Sequence, residues 1–147
     1  MGSLYGADRF AIDHKGRVAI PAKLRRALSA EARDSFVVVP GLDGCLDLYP
    51  LDEWRRFDEK LRALPPGDER ARRFRRLLLV NAAELAVDAQ GRVMRPGKLM
   101  EMAGLRKEVL VLGSVDHIEI WDPERFDQST RGDHGDTLEN LAKEYLK

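Results

Sequence analysis

The sequence predicts an α+β fold in which one unit is written twice and the two copies complete each other as half-barrels or half-sheets. Three observations carry this. Ile12-Asp13-His14-Lys15-Gly16-Arg17-Val18-Ala19-Ile20-Pro21-Ala22-Lys23-Leu24 returns seventy-five residues later as Val87-Asp88-Ala89-Gln90-Gly91-Arg92-Val93-Met94-Arg95-Pro96-Gly97-Lys98-Leu99, keeping Asp, Gly, Arg, Val, Pro, Lys and Leu. Phe36-Val37-Val38-Val39-Pro40-Gly41, then Leu46-Asp47-Leu48-Tyr49, is answered by Glu108-Val109-Leu110-Val111-Leu112-Gly113, then Ile118-Glu119-Ile120-Trp121, at an offset of seventy-two; a three-residue deletion separates the two offsets. Each copy also follows one plan of strand, turn, strand, proline, short helix and hairpin. Two copies are too few for a solenoid, which needs about three repeats to bury a continuous core.

The elements follow in order. Residues 4–12 form an opening strand, and Asp13-His14-Lys15-Gly16 is a tight turn into a second strand over 17–20. Glycine supplies the positive φ such a turn needs, and aspartate bonds the backbone two residues on. Pro21 ends the strand and suits the first helical position, where its missing N–H would be unpaired anyway. Leu24 and Leu28, at i, i+4, give the short helix one buried face. Residues 36–39 and 45–49, around Gly41-Leu42-Asp43-Gly44, read as a hairpin. Trp54, Phe57, Leu61 and Leu64 are the core stripe of a longer helix, broken by Pro65-Pro66-Gly67. Asp68 caps a second helix reaching about Leu79. The second half repeats the plan, with Gly104 stopping its short helix. Residues 128–147 read as loop followed by a short polar helix with Leu138, Leu141 and Tyr145 on one side. The organisation is therefore a first half over 1–67, a basic linker helix over 68–80, a second half over 81–127 and a tail over 128–147.

Composition bounds the function. The 147 residues are 44% hydrophobic and 34% charged, as in a globular protein with a heavily solvated surface. The longest apolar run, Leu77 to Val80, falls far short of the roughly 20 residues of a membrane span, and no cleavable signal pattern is expected at the start. Cys45 is the only cysteine, which excludes an internal disulfide and points to the reducing cytoplasm. Net charge is zero, yet residues 61–115 hold eleven Lys and Arg against six Asp and Glu, while residues 116–147 hold four against nine. One surface can meet an anion while another keeps the particle soluble.

No active site is legible. His14, His117 and His134 are scattered, no Cys or His pair has metal-ligand spacing, and no phosphate loop or nucleophile elbow is present. His14 reads as an exposed turn residue and Cys45 as a small core residue. No metal, cofactor or small-molecule ligand is expected. The strongest signal is the repeated Asp-x-x-Gly-Arg turn. Side chains alternate along a strand, so Val18 and Ile20 share one face and Arg17 and Ala19 the other, which holds the arginine outward at a sheet rim. A guanidinium on a rigid strand can make forked hydrogen bonds to phosphate or to guanine O6 and N7. It can equally pair with Asp13 and fix the turn's shape, and the two readings are compatible. Lys15, Lys23, Arg25 and Arg26 cluster in the same stretch. The arginines of residues 70–76 can face acidic groups of a neighbouring subunit, solvent, or DNA.

These residues, with Leu4-Tyr5-Gly6, Leu42-Asp43-Gly44-Cys45-Leu46-Asp47-Leu48-Tyr49-Pro50-Leu51 and Ile118-Glu119-Ile120-Trp121, resemble the MraZ family of bacterial regulators across nearly the whole chain. The family's gene opens the division and cell wall cluster, and its members are relatives of the AbrB and SpoVT swapped-hairpin barrels. The resemblance implies a pseudo-twofold β-barrel of the swapped-hairpin AbrB/SpoVT type with flanking helices. It further implies a non-enzymatic, cytoplasmic, nucleoid-associated repressor that binds direct repeats in double-stranded DNA upstream of its own operon. Assembly into a homo-oligomeric ring of about eight subunits is part of the same expectation. Carried over, Asp13 and Arg17, with Lys15, Lys23 and Arg25 beside them, and Asp88 and Arg92 are the DNA-binding residues. The competing reading is an antitoxin-like or scaffold barrel whose arginines meet a protein. The second half departs from the pattern: Gln90 stands for Lys15, Arg95 for the inward Ile20, and Met100 for Arg25. The first turn is therefore expected to matter more for DNA, with the second half partly structural.

Overall fold

The computed structural model describes residues 2–94, 97–132 and 136–146. Its first half runs β1 (Ala7–Ala11), β2 (Arg17–Ala19), α1 (Ala22–Arg26), a 3-10 turn at Ala30–Ala32, β3 (Ser35–Pro40), β4 (Leu46–Pro50), α2 (Leu51–Arg62) and α3 (Glu69–Leu79). The second half runs β5 (Ala83–Ala86), β6 (Arg92–Met94), α4 (Gly97–Met102), β7 (Glu108–Ser114), β8 (His117–Trp121), α5 (Pro123–Arg131) and α6 (Leu138–Tyr145), the same order without the 3-10 turn. Asp68 caps α3 as its sequence predicts, accepting from the backbone N–H of Arg70 and Ala71 at 2.9 and 3.2 Å. Gly104 stops α4 at φ 70°. No helix is long and apolar enough to cross a membrane among the described residues.

Two expectations need correction. The opening strand is shorter than residues 4–12, because Gly6 at φ 92° breaks the extension and Leu4 instead forms an isolated bridge with Val115. Residues 128–131 are not loop but the last turn of α5. That helix is the counterpart of α2: Phe126 lies seventy-two residues after Trp54 and rests on Trp121 as Trp54 rests near Tyr49, with ring centroids 5.5 and 6.0 Å apart. A weak apolar stripe with no buried residue concealed it in the sequence.

The two halves exchange strands. Six antiparallel strands form one sheet in the order β1-β7-β8-β4-β3-β5, and β2 and β6 form a separate two-stranded ribbon. Thus β1 pairs with the other half's β7, β5 with the other half's β3, and β2 with β6. A swapped-hairpin α+β barrel results, and neither half has a closed hydrogen-bond ladder alone. The pairing register places a pseudo-twofold axis through two residue pairs, Val18 opposite Val93 and Asp47 opposite Glu119. It also refines the repeat: Phe36 faces Leu85 as Val109 faces Phe10, so β3 and β7 correspond at seventy-three residues, not seventy-two. The remaining step falls in the shorter β7–β8 turn.

The main core fills the space between sheet and ribbon. Phe36, Val38, Leu46, Leu48, Val109, Val111, Ile118 and Ile120 enter from the sheet, and Val18, Ile20, Val93, Leu24 and Leu99 from the ribbon side. On the sheet's outer face α2 packs Trp54, Phe57, Leu61 and Leu64 against Val37, Val39 and Tyr49, the predicted stripe. Period-two alternation therefore decides which residues meet the ribbon and which meet the helices.

Candidate nucleic-acid interface

The ribbon presents both Asp-x-x-Gly-Arg turns side by side. Val18 and Val93 point into the core at 3% and 2% exposure, so Arg17, Ala19, Arg92 and Met94 occupy the outer face. In each turn one carboxylate oxygen ties down the backbone. Asp13 Oδ1 accepts from the N–H of Lys15 and Arg17 at 2.9 and 2.8 Å, and Asp88 Oδ1 from Gln90 and Arg92, both at 2.9 Å. Gly16 and Gly91 take φ of 78° and 79°, which side-chain-bearing residues rarely adopt. The N–H of Arg17 and its guanidinium, against a smaller opposing effect of burial, hold the Asp13 carboxyl down to about 2. Asp88 is lowered in the same manner through Arg92 and Gln90.

The arginines are used unequally. Arg17 donates through Nε to Asp13 Oδ2 at 2.7 Å, and its terminal nitrogens make no hydrogen bond among the described residues. Arg92 is occupied throughout: Nε on Asp88 Oδ2 at 3.3 Å, one terminal nitrogen on Asp13 Oδ2 at 3.3 Å, and the other on the Gln90 carbonyl oxygen. A local and a cross-ribbon partner decide this. A lysine carries no acceptor, so Lys15 leaves the terminal nitrogens of Arg17 unpaired, whereas the amide of Gln90 and Asp13 of the other half occupy both of those of Arg92.

The model of the family described as "MraZ protein, putative antitoxin-like" matches residues 4–77 and again 78–147. The chain belongs to the MraZ family of transcriptional regulators. Among its relatives, Transcriptional regulator MraZ of Acetivibrio thermocellus is 40% identical over 95% of this chain and 94% of that protein. The namesake of Natranaerobius thermophilus is 40% identical over 96% and 95%. That of Heliobacterium modesticaldum is 46% identical over 82% of each.

The other residues expected to serve the MraZ interface lie as follows. Lys15 is exposed beside the open fork of Arg17, and His14 is exposed at the same turn. Arg25 does not border its own turn as the linear sequence suggests. It crosses to the second one: Nε donates to Ile20 O at 3.0 Å, and a Cβ on Gly91 would lie 2.6 Å from Arg25 Cζ. Strand exchange thus gives the second turn a cation its own repeat lacks, since Met100 is buried in the core. Lys23 sits apart, its Nζ 4.0 Å from the centre of the Tyr5 ring. The pairing of Arg17 with Asp13 is present: Arg17 fixes the turn through Nε. Arg95 and His134 lie outside the described residues.

Proposed function

We propose that the protein is a sequence-specific DNA-binding repressor that lays the β2–β6 ribbon in the major groove of direct repeats upstream of its own operon, within the division and cell wall gene cluster. The observation that carries this is the open fork of Arg17, fixed by Asp13 and flanked by exposed Lys15. A two-stranded ribbon fits a major groove about 12 Å wide, and a forked guanidinium reads guanine O6 and N7. Asp13, Arg17, Lys15 and, across the axis, Arg25, Asp88 and Arg92 form the contact surface, with Lys23 at its margin. The second turn serves mainly to support the first.

Four cations against two carboxylates leave that surface only modestly positive, so one copy holds DNA weakly. A cytoplasmic, nucleoid-associated ring of about eight subunits supplies the rest by repeating the contact along the DNA. The α3 face suits such assembly. Phe74, Leu77 and Val80 are 41%, 61% and 73% exposed, beside Arg72, Arg75 and Arg76, and the acidic C-terminal region has the opposite charge.

The test compares Arg17→Ala with Arg92→Ala by fluorescence anisotropy on the upstream region, with sedimentation to follow particle size. Arg17→Ala is expected to abolish specific binding at unchanged size, and Arg92→Ala to weaken it less. Parental affinity of Arg17→Ala at equal salt would overturn the proposal. Affinity independent of salt, with a protein partner retained, would favour the antitoxin-like reading instead.

A further inference from the structure

On the sheet face opposite the ribbon, the duplication has assembled a set of donors that the chemistry of DNA binding does not use. Asp47 of β4 and Glu119 of β8 stand directly opposite each other on the pseudo-twofold axis. Like charges so placed are destabilising. Cys45 and His117 flank them and are themselves related by the repeat offset of seventy-two. The Cys45 thiol lies 3.5 Å from Asp47 Oδ1. His117 Nε2 lies 3.7 Å from Asp47 Oδ1 and 3.3 Å from Glu119 Oε2. Ligand atoms of Cys45, Asp47 and Glu119 fall within 4.8 Å of one another. The four side chains are largely withdrawn from solvent: Cys45 is 4% exposed, and the side chains of Asp47, His117 and Glu119 are 13%, 15% and 20% exposed.

We propose that Cys45 Sγ, Asp47 and Glu119 bind one divalent transition cation of the zinc class beside the pseudo-twofold axis, with His117 Nε2, which reaches both carboxylates but stands outside the three-donor cluster, rotating in as the fourth ligand. The donor types select it. Thiolate, imidazole and carboxylate together suit zinc, whereas magnesium and calcium prefer oxygen alone. The supporting groups around the donors fit as well. His117 Nδ1 lies 2.8 Å from Asp116 Oδ1, an arrangement that turns Nε2 inward, and Glu119 Oε1 accepts from Trp121 Nε1 at 2.9 Å. Metal-ligating histidines and carboxylates are usually oriented by such outer partners. Tyr49 stacks on His117 with ring centroids 4.9 Å apart, walling the site on the α2 side.

Binding is proton-balanced: the cation replaces the Cys45 thiol proton and any proton on His117 Nε2, both passing to solvent. Its effect would be to tie β4 to β8, the seam that joins the two halves. The inference is independent of how the protein meets DNA.

The experiment uses the full chain stripped with chelator, titrated with zinc alone by calorimetry in two buffers, and with cobalt(II) as an optical probe. The expected results are one equivalent per chain, proton release, and a thiolate-to-cobalt charge-transfer band that Cys45→Ala abolishes. Asp116→Asn should weaken zinc about 10- to 100-fold without removing the band. If Cys45→Ala fails to fold by circular dichroism, His117→Ala is read in its place and should also lose stoichiometric zinc. Absence of saturable binding, a band that survives Cys45→Ala, or stoichiometric zinc unchanged in His117→Ala overturns the proposal.

Discussion

Exchanging Lys15 and Gln90 separates the two turns functionally. The Gln90 carbonyl occupies a terminal nitrogen of Arg92, and Lys15 has no such acceptor, so Lys15→Gln should close the fork of Arg17 while removing one exposed cation. Two magnitudes follow for each subunit on DNA. Losing one phosphate-directed charge lowers the slope of log affinity against log salt by about 0.9. Losing a forked base contact costs about 1–3 kcal/mol, or about 5- to 150-fold. Gln90→Lys should act only partly in reverse, adding a cation that raises the salt slope and freeing one terminal nitrogen of Arg92 while the other stays on Asp13. Anisotropy titrations on the upstream region at several salt concentrations measure both quantities. In an Arg17→Ala background, read on the residual non-specific affinity, Lys15→Gln should show only the loss that one phosphate-directed charge accounts for, since no fork remains to be closed. The reasoning is refuted if Lys15→Gln leaves affinity and slope unchanged, or if its full loss persists without Arg17.

Three further outcomes follow from the fold. Asp13 is held down to about 2, below its ordinary 3.8, chiefly by the N–H of Arg17. Its bonds therefore stabilise the fold above about pH 4, and that contribution is lost as pH falls toward 2. Asp13→Asn should flatten this part of the acid-melting profile, as followed by circular dichroism. Leu48 is fully buried at the β4–β8 seam, so Leu48→Ala should cost about 2–5 kcal/mol in urea unfolding, with both halves lost in one transition. A Cβ on Gly113 would lie 2.5 Å from the backbone nitrogen of Tyr5. Gly113→Ala should lift the N-terminal segment from β7 at a cost of about 1–3 kcal/mol, seen as faster hydrogen exchange at Leu4 and Val115.

Most of the fold was legible because its signals are local. The Asp68 cap, the stripe of Trp54, Phe57, Leu61 and Leu64, and the Gly104 stop depend on neighbours within a few residues, and each stands where predicted. The extent of the opening strand and the helix over 123–131 did not, because a positive φ at Gly6 and the packing of Phe126 on Trp121 depend on distant parts of the chain.

The sequence by itself determined that one unit occurs twice, that each copy carries an Asp-x-x-Gly-Arg turn, and that the chain resembles its family. Its one-letter differences at positions 15 and 90 already marked the turns as unequal. Tertiary structure alone decided what that inequality means, because strand exchange puts residues of one half beside the turn of the other. It closes Arg92 on Asp13, moves Arg25 onto Gly91, and leaves Arg17 open. It also brings Cys45 and Asp47 to His117 and Glu119. The repeat offset relates these residues in sequence but does not say that they meet; the antiparallel register of β4 on β8 sets Asp47 opposite Glu119 on the axis and brings Cys45 and His117 to flank them.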